Sequence, residues 1–341
     1  MLETTWFVLW GLLWAVYFVL DGFDFGMGTL LPFLAKNDEE KRIIYNAAGP
    51  YWDGNEVWLI TAGGVTFAAF PKAYAVMFSA LYAPLLILLF ALIFRAVSFE
   101  FRNKKDCPQW RKFWDACQFL GNFLPALLLG VAFANLFMGI PIDGNGVYHG
   151  IIKLLNPYGL AGGIFFVLIF AMHGALWLAL KSEGDIHERA VGAAQVVWPL
   201  VLAVALLFLA LTAFYTNLYA NYAEHPTLLV FPILAVASLL TVRVMIWADN
   251  LLGAWFFSAL FIITVTFFGV LGMYPGIIIS SIDPAYSVTV FNGASSPLTL
   301  KIMLGVTLCC IPVVIAYQAW VYYTFAHKVT PESLQKDDHA Y

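Results

Sequence analysis

Long apolar stretches separated by short polar segments run along almost the whole chain. A helix needs about 20 apolar residues to cross a bilayer, and on that scale the pattern predicts nine transmembrane helices. They cover approximately residues 6–34, 57–70, 74–95, 116–138, 158–181, 192–215, 227–247, 252–273 and 299–325. The second extends back to about residue 50 if the acidic segment before it is included. The pattern therefore predicts an all-α integral membrane protein.

Composition excludes a soluble domain. Of the 341 residues, 62% are hydrophobic and 11% are charged, and the mean hydropathy is +0.82. Soluble domains carry about 25% charged residues. The sequence has no basic patch for nucleic acid, no glycine-rich phosphate loop and no Cys/His spacing typical of a metal site. The first apolar segment lacks the basic start and the cleavage site of a signal peptide, so we expect it to be a permanent span.

The basic residues predict an orientation. Cytoplasmic loops are enriched in Lys and Arg. With nine spans and the N-terminus outside, 14 of the 17 basic residues fall on the cytoplasmic side, and the exceptions are Lys72, Lys153 and Lys301. We therefore expect the C-terminus in the cytoplasm.

Five carboxylates are expected at the cytoplasmic end of the first three spans. They are Asp21 and Asp24 in the first span, Asp53 and Glu56 at the start of the second, and Glu100 after the third. A carboxylate at the centre of a membrane helix costs roughly 2.5–3.5 kcal/mol on insertion scales. Their shared position predicts a polar entrance from the cytoplasm.

Two interpretations remain open for Asp53 and Glu56, which are three residues apart and share a helix face. Mutual repulsion and burial favour a bound proton, as a proton relay requires. Alternatively, Asp53 is the N-cap of the helix and Glu56 completes a capping box.

Two interpretations also remain for Asp21 and Asp24. They belong to the polar entrance, or they form buried ion pairs with Arg95 or Arg102 that clamp the helices. Arg95 is the obvious counter-ion, unless its side chain extends to the lipid headgroups.

Histidine restricts where a haem could bind. A haem iron needs an axial His, Met or Cys ligand, and only His173 lies within a predicted span. The other five histidines (His149, His187, His225, His327 and His339) fall in loops or in the tail. We therefore expect His173 to be a core or partner-facing residue, and we expect no haem or metal site and no catalytic residue in this chain.

Three motifs together resemble subunit II of the bacterial cytochrome bd quinol oxidases. They are Asp21-Gly-Phe-Asp24-Phe-Gly-Met-Gly28, Trp52-Asp53-Gly-Asn55-Glu56-Val-Trp58, and Phe67-Ala-Ala-Phe-Pro71 leading to Arg95-Ala-Val-Ser-Phe-Glu100-Phe-Arg102. The similarity is strongest over residues 1–140.

The resemblance implies a fold of two four-helix bundles and one peripheral helix. On this sequence, the first bundle would cover about residues 1–140. The second bundle and the peripheral helix would cover about 156–327, followed by a short cytoplasmic tail at 328–341. All of these would form one polytopic membrane domain in the bacterial cytoplasmic (inner) membrane.

The resemblance also implies an activity and partners. The family oxidises quinol at the outer face and reduces O2 to water with cytoplasmic protons, which generates a proton motive force. Haems b558, b595 and d are carried by subunit I, which pairs with subunit II in a heterodimer. A small single-helix third subunit and a bound quinone occur in some members, and the resemblance leaves both open here.

Residue roles follow from the matched positions. Asp53 matches the carboxylate of a proton channel at the subunit interface, and Glu100 matches a second acidic channel position. Glu56 and Asp21 are expected to extend this path. Asp24 and Arg95 match positions that are important to the assembled complex. Structural roles are expected for the remaining motif residues, Trp52, Asn55, Trp58 and Arg102.

Two other functions compete with this interpretation. A proton- or ion-coupled secondary transporter would also use intramembrane carboxylates, although such proteins have inverted repeats and midplane acids, neither of which is evident here. A purely structural partner would use the acids only to clamp helices.

Overall fold

The described part of the protein is almost entirely helical. The computed structural model describes residues 1–144, 146–147, 150–336 and 341. His149 and His339, which the sequence places in an outer loop and in the tail, lie outside these residues.

The helices and strands follow one another along the chain with short connections. The α-helices are α1 (Leu2–Leu34), α2 (Asp38–Ala48), α3 (Trp52–Ala69), α4 (Pro71–Ala80), α5 (Tyr82–Phe101), α6 (Pro108–Met138), α7 (Ile151–Leu154), α8 (Pro157–Lys181), α9 (Gly184–Tyr215), α10 (Leu218–Glu224), α11 (Val230–Trp247), α12 (Leu251–Met273), α13 (Pro297–Thr324) and α14 (Pro331–Lys336). The 3-10 turns are Arg102–Lys104, Pro226–Leu229 and Pro284–Tyr286. Two antiparallel hairpins pair β1 (Ile142–Asp143) with β2 (Gly146–Val147) and β3 (Gly276–Ile278) with β4 (Val288–Thr289).

Eight helices within the described ranges are long and apolar enough to cross a membrane, namely α1, α5, α6, α8, α9, α11, α12 and α13. The remaining predicted span, residues 57–70, corresponds to α3, which has 18 residues and is roughly 27 Å long at 1.5 Å per residue. Its first two turns contain Asp53, Asn55 and Glu56, which lower its hydropathy. The chain is a multi-pass membrane protein.

The prediction of one span over residues 74–95 is wrong at its start. The backbone leaves the helical conformation at Phe70 (φ −133°, ψ 63°), and Pro71 begins a new helix, α4. A second break at Leu81 separates α4 from α5. Proline lacks an N–H group and fits the first turn of a helix, so Pro71 starts α4 as a separate helix. Helix α4 packs against β2, β3 and β4.

Helix α1 lies at the centre of the packing. It contacts α3, α6, α8 and α12 along its length, and α13 more sparsely. Helix α8 packs against α6, α9 and α12, while α11 packs against α12 and α5 against α6. Aromatic residues of α1, including Trp6, Trp10 and Tyr17, are fully buried in the resulting core. The predicted acidic segments therefore lie on α1 itself, on α3, which packs against α1, and on α5, which packs against α6.

Glycines allow α1 to approach α8 closely. A Cβ atom at Gly26 would overlap the carbonyl group of Phe170 and would lie 2.9 Å from the backbone nitrogen of Gly174. A Cβ at Gly22 would meet the Phe170 ring at 2.7 Å. Small residues four apart permit such backbone contact between membrane helices. The glycines at the end of the first span therefore serve close packing, and the helix is not unwound there.

Candidate functional site

The centre of the acidic region is Arg95 of α5, whose side chain is completely buried. Its Nη1 lies 2.7 Å from Asp21 Oδ1 of α1, and its Nη2 lies 2.8 Å from Glu56 Oε2 of α3. Charge-assisted hydrogen bonds of this length are among the strongest in proteins. One guanidinium thus joins three helices, and the interpretation in which Arg95 extends to the lipid headgroups is wrong.

The position of Arg95 depends on a glycine of the neighbouring helix. A Cβ at Gly121 of α6 would lie 2.8 Å from Arg95 Cβ and 2.9 Å from its backbone nitrogen. The absence of that Cβ lets α6 approach the backbone of α5 closely at Arg95. The Phe25 ring, with its centroid 4.8 Å from Arg95 Cζ, covers one side of the guanidinium. The cation is therefore shielded from lipid and held toward the two carboxylates.

Asp24 has a different partner from Asp21. Its Oδ2 accepts a hydrogen bond of 2.8 Å from Asn55 Nδ2, and Asn55 Oδ1 accepts one of 3.0 Å from the Tyr322 hydroxyl of α13. Residues three apart on a helix point about 60° apart at 3.6 residues per turn, so Asp24 faces the start of α3. The predicted pairing of Asp24 with Arg95 or Arg102 is wrong, because an amide occupies that side.

The acidic motif of α3 also fixes α13. Gln318 of α13 accepts a hydrogen bond of 3.1 Å from Trp58 Nε1 and donates one of 2.9 Å to the carbonyl oxygen of Gly54. Trp52 stacks on Phe99 of α5, with ring centroids 5.2 Å apart and planes inclined by 7°. The motif therefore connects α3 to α13 and to α5 through side chains that carry no charge.

Asp53 and Glu100 lie at the surface of the described chain. Both are exposed, and Glu100 Oε1 accepts a hydrogen bond of 3.3 Å from the Tyr341 hydroxyl. The backbone N–H and carbonyl of Tyr341 pair with the side-chain amide of Asn46 at 3.0 and 2.9 Å. An aromatic residue of the tail is thus docked beside these two carboxylates.

The capping-box interpretation of Asp53 and Glu56 is wrong. Helix α3 begins at Trp52, its N-cap is Tyr51, and no side-chain cap hydrogen bond is formed. Asp53 therefore lies inside the first helical turn, where a negative charge interacts favourably with the helix dipole, and Glu56 lies one turn further along.

Arg102 belongs to a separate cluster. Its Nε lies 2.7 Å from Asp115 and its Nη2 lies 2.6 Å from Asp38, while Lys41 Nζ lies 2.8 Å from the second oxygen of Asp115. Partial burial alone would raise the pKa of Asp38. The hydrogen bond and charge of Arg102 outweigh it and hold this pKa below its usual value. The predicted contact between Arg102 and the acids of α1 is therefore wrong.

His173 is a core residue. Its Nδ1 lies 2.6 Å from Ser258 Oγ and its Nε2 lies 3.1 Å from the carbonyl oxygen of Val19. The imidazole also stacks on Trp255 at a centroid distance of 5.2 Å. Because both ring nitrogens contact protein atoms, His173 has no lone pair available for a haem iron in this arrangement.

Sequence reasoning missed the partners that complete these contacts. Gln318 and Tyr322 are polar residues inside the last apolar span, which was a usable signal. Tyr51 and Lys181 were missed as well. The Tyr51 hydroxyl donates to the carbonyl oxygen of Phe325 at 2.6 Å, and the Lys181 ammonium donates to that same oxygen. These two groups donate hydrogen bonds to the backbone carbonyl that ends α13.

A groove runs beside the charged centre. It lies between α3, α4, α5 and α6, has a volume of about 660 Å³, and is lined by Glu56 together with apolar side chains such as Leu59, Leu88 and Phe133. The side chain of Glu56 is 24% exposed, whereas that of Asp21 is fully buried. Glu56 thus connects the buried ion pairs with an open space.

Comparisons with known proteins give a consistent result. Residues 2–325 match the family model described as cytochrome bd terminal oxidase subunit II. The chain is 37% identical to cytochrome bd ubiquinol oxidase subunit 2 of Bacillus subtilis over 336 residues, covering 96% of this chain and 97% of that protein. It is 34% identical to cytochrome bd-I ubiquinol oxidase subunit 2 of Escherichia coli K12, covering 99% and 98%.

The fold is also similar to a solved structure. The chain superposes on the bd oxidase from Geobacillus thermodenitrificans with a TM-score of 0.79 at 16% identity, covering 95% of this chain and 98% of that one.

Proposed function

This chain belongs to the family of cytochrome bd terminal oxidase subunit II, and we propose that it gives its quinol oxidase complex a cytoplasmic entrance for protons. The complex oxidises quinol and reduces O2. The competing hypothesis of a secondary transporter is not favoured, because the similarity extends over nearly the whole length of oxidase subunits.

The redox groups of the complex belong, in this proposal, to the partner subunit I. Haems b558, b595 and d supply the electron transfer and oxygen chemistry there. Support comes from His173, whose two ring nitrogens contact Ser258 and Val19.

The proposed arrangement is two four-helix bundles and a peripheral helix in the bacterial cytoplasmic membrane. Helices α1, α3, α5 and α6 would form the first bundle, α8, α9, α11 and α12 the second, and α13 the peripheral helix. The Lys and Arg distribution favours an N-terminus outside and a C-terminus in the cytoplasm, so the acidic region faces the cytoplasm.

The proposed path enters at the exposed carboxylates Asp53 and Glu100. From Asp53 it follows one turn of α3 to Glu56, which is partly buried and shares Arg95 with the fully buried Asp21. This inward sequence of carboxylates is the observation that carries the proposal. Titratable side chains at spaced intervals can pass protons between ordered waters.

The charge balance at Arg95 suits this role. When ionised, Asp21, Glu56 and Arg95 together carry a formal charge of −1. A net charge in a low-dielectric environment is costly, and one added proton would make the group neutral. Glu56 also lines the groove beside α3 and α5, so the proposed path continues into the groove.

We place subunit I over this groove and α13. Only 6% of the apolar window of α13 is buried inside the described chain, and apolar side chains such as Ile60, Phe67 and Leu89 remain exposed beside the groove. Covering this face would enclose the groove and direct it toward the partner. Electrons from the outer face and protons from the cytoplasm would then separate charge across the membrane, at about 2.3 kcal/mol per charge per 100 mV.

The test is the substitution Asp53→Asn in the intact complex. We expect nearly unchanged haem content and an oxygen consumption rate at least tenfold lower, since positioned proton-transfer groups contribute on the order of 100-fold or more. Glu39→Gln is the matched control, because Glu39 is an exposed carboxylate on the same side. The double variant Asp53→Asn, Glu100→Gln should be slower still.

Normal turnover of the double variant would contradict the proton entrance and favour the purely structural role. Loss of haem from Asp53→Asn with retained turnover per haem would assign the carboxylate to assembly.

A further inference from the structure

A second pocket lies at the end of α1 and the start of α6, away from the groove. Its volume is about 240 Å³. The lining residues are Lys36, Asn37, Asp38, Lys41, Pro108, Arg111, Lys112 and Asp115. Four of them are basic and two are acidic, so the pocket is positively charged.

The carboxylates around the pocket are already engaged by cations. Asp115 pairs with Lys41 and Arg102, and Asp38 pairs with Arg102 at 2.6 Å and with Arg111 at 3.6 Å. A third carboxylate, Asp106, lies 2.9 Å from Arg111. Together with Lys36 and Lys112, five cations face three carboxylates, which leaves an excess of two positive charges.

Lys36 and Lys112 form no ion pair within the described residues. Glu40, the acid next to Lys36, is held at 2.6 Å by Arg189. The excess charge is therefore available to a ligand.

One side-chain donor at the pocket also lacks a partner. The Nε of Arg111 is buried and has no hydrogen-bond partner among the described residues. This N–H group belongs to one of the four basic side chains that line the pocket.

An apolar surface continues from the pocket toward the membrane. Phe33, three residues before Lys36, is 73% exposed, and its ring contacts Phe119 of α6 at a centroid distance of 6.5 Å. Phe119 in turn stacks on Phe123 at 5.6 Å. Along α6, the basic pocket is followed within three turns by aromatic residues that belong to the predicted span 116–138.

We propose that the pocket binds the phosphate of an anionic phospholipid, with an acyl chain along the strip Phe33–Phe119–Phe123. The four basic side chains hold the phosphate, and the strip distinguishes a lipid from free phosphate, which shares only the headgroup chemistry. Basic pockets beside membrane helices bind anionic headgroups by this combination. This inference does not depend on the proton entrance.

The experiment counts lipids that remain on the intact, detergent-purified complex by native mass spectrometry. The complex is titrated with dioleoyl phosphatidylglycerol or dioleoyl phosphatidylcholine. We expect the double variant Lys36→Gln, Lys112→Gln to lose one tightly bound phosphatidylglycerol, with an affinity about tenfold to thirtyfold lower, because each cation near an anionic headgroup contributes about fivefold. Phosphatidylcholine binding should not change.

Two control variants test whether binding is specific to this pocket and to a lipid, and competition with inorganic phosphate tests the source of the phosphate. The double variant Lys104→Gln, Lys105→Gln removes the same charge from the neighbouring turn and should retain the lipid. Phe33→Ala should weaken phosphatidylglycerol binding while leaving the basic pocket intact. Displacement of the lipid by 20 mM inorganic phosphate, or an unchanged lipid count in both the Lys36/Lys112 and Phe33 variants, would overturn the proposal.

Discussion

At the scale of single residues, Arg95 organises the acidic region. It is fully buried and serves two carboxylates on two helices, at 2.7 and 2.8 Å. Removing one member of a buried ion pair is more damaging than never having the pair, because a charge remains without compensation. We therefore expect the loss of Arg95 to affect assembly more than the loss of either acid alone.

We predict that Arg95→Met strongly reduces the amount of assembled complex, with a loss of about 3–5 kcal/mol in stability, the range typical of broken buried ion pairs. Thermal unfolding of the complex and its haem content after purification measure the effect. Arg95→Lys should be intermediate, since one ammonium cannot reproduce the two-nitrogen contact.

A double variant tests whether the stranded charges cause this loss. Adding Asp21→Asn to Arg95→Met should recover part of the stability, because one of the two uncompensated carboxylates is removed. If Arg95→Met assembled with an unchanged unfolding midpoint, the guanidinium would not be the organising group.

At the scale of helices, the contact between α1 and α8 positions Asp21 and Asp24. Gly22 and Gly26 of α1 face Phe170 and Gly174 of α8, with no space for a Cβ at either glycine. Since α1 presents its acids to α3 and α5 from its other side, any displacement from α8 moves both carboxylates.

We predict that Gly26→Ala prevents assembly or lowers the stability of the complex by at least 1–3 kcal/mol, the usual cost of overpacking. The added methyl group would overlap backbone atoms, which cannot move aside as a flexible side chain can. Gly192→Ala on α9 is the matched control, because no atom lies within 4 Å of a Cβ there. Equal stability of the two variants, measured by thermal unfolding, would show that the helices are not in close contact.

Helix α13 shows how polar motif residues can hold an otherwise unpacked element. Trp58 and Gly54 bind Gln318, Asn55 binds Tyr322, and Tyr51 binds the carbonyl of Phe325. Hydrogen bonds replace apolar burial as the main attachment of this helix to the chain. Its remaining surface is available to subunit I in the proposed complex.

At the scale of the whole molecule, ion pairs connect distant helices at the proposed cytoplasmic end. Asp38 and Glu40 of α2 connect to Arg102 and to Arg189 of α9. Burial opposes ionisation of both carboxyls. For Asp38 the hydrogen bond and charge of Arg102 prevail, and for Glu40 the backbone N–H of Lys36 and the charge of Arg189, so that both pKa values lie below the usual range.

These lowered pKa values predict a pH dependence. Because folding favours the ionised forms, their stabilisation is fully present above the ordinary carboxyl pKa of about 4 and is lost as the pH falls through the lower folded-state values. We expect the double variant Asp38→Asn, Glu40→Gln to have a lower thermal unfolding midpoint at pH 7. Below about pH 5 its midpoint should fall less steeply with decreasing pH than that of the unchanged protein.

Thermal unfolding of the complex between pH 7 and pH 3 measures this slope, with Glu39→Gln as the control. Parallel curves for the double variant and the unchanged protein would show that these ion pairs do not stabilise the folded state.

The sequence by itself determined the class of the protein and its family. Long apolar segments have no alternative to helices in a bilayer, since every backbone group must be satisfied internally. The motif around Asp53 and Glu56 identified the family, which full-length similarity confirmed. The prediction of one span over residues 74–95 was wrong because the hydrophobic pattern continues across the break at Leu81.

Only the tertiary structure decided which charges meet. Arg95 contacts Asp21 across 74 residues, and Arg102 contacts Asp115 in a different cluster, although both arginines follow the same apolar segment. The choice depends on how each helix is rotated and how closely glycines allow its neighbours to approach. Apolar periodicity does not specify rotation where all faces are apolar, so the partners had to come from the packing of the helices.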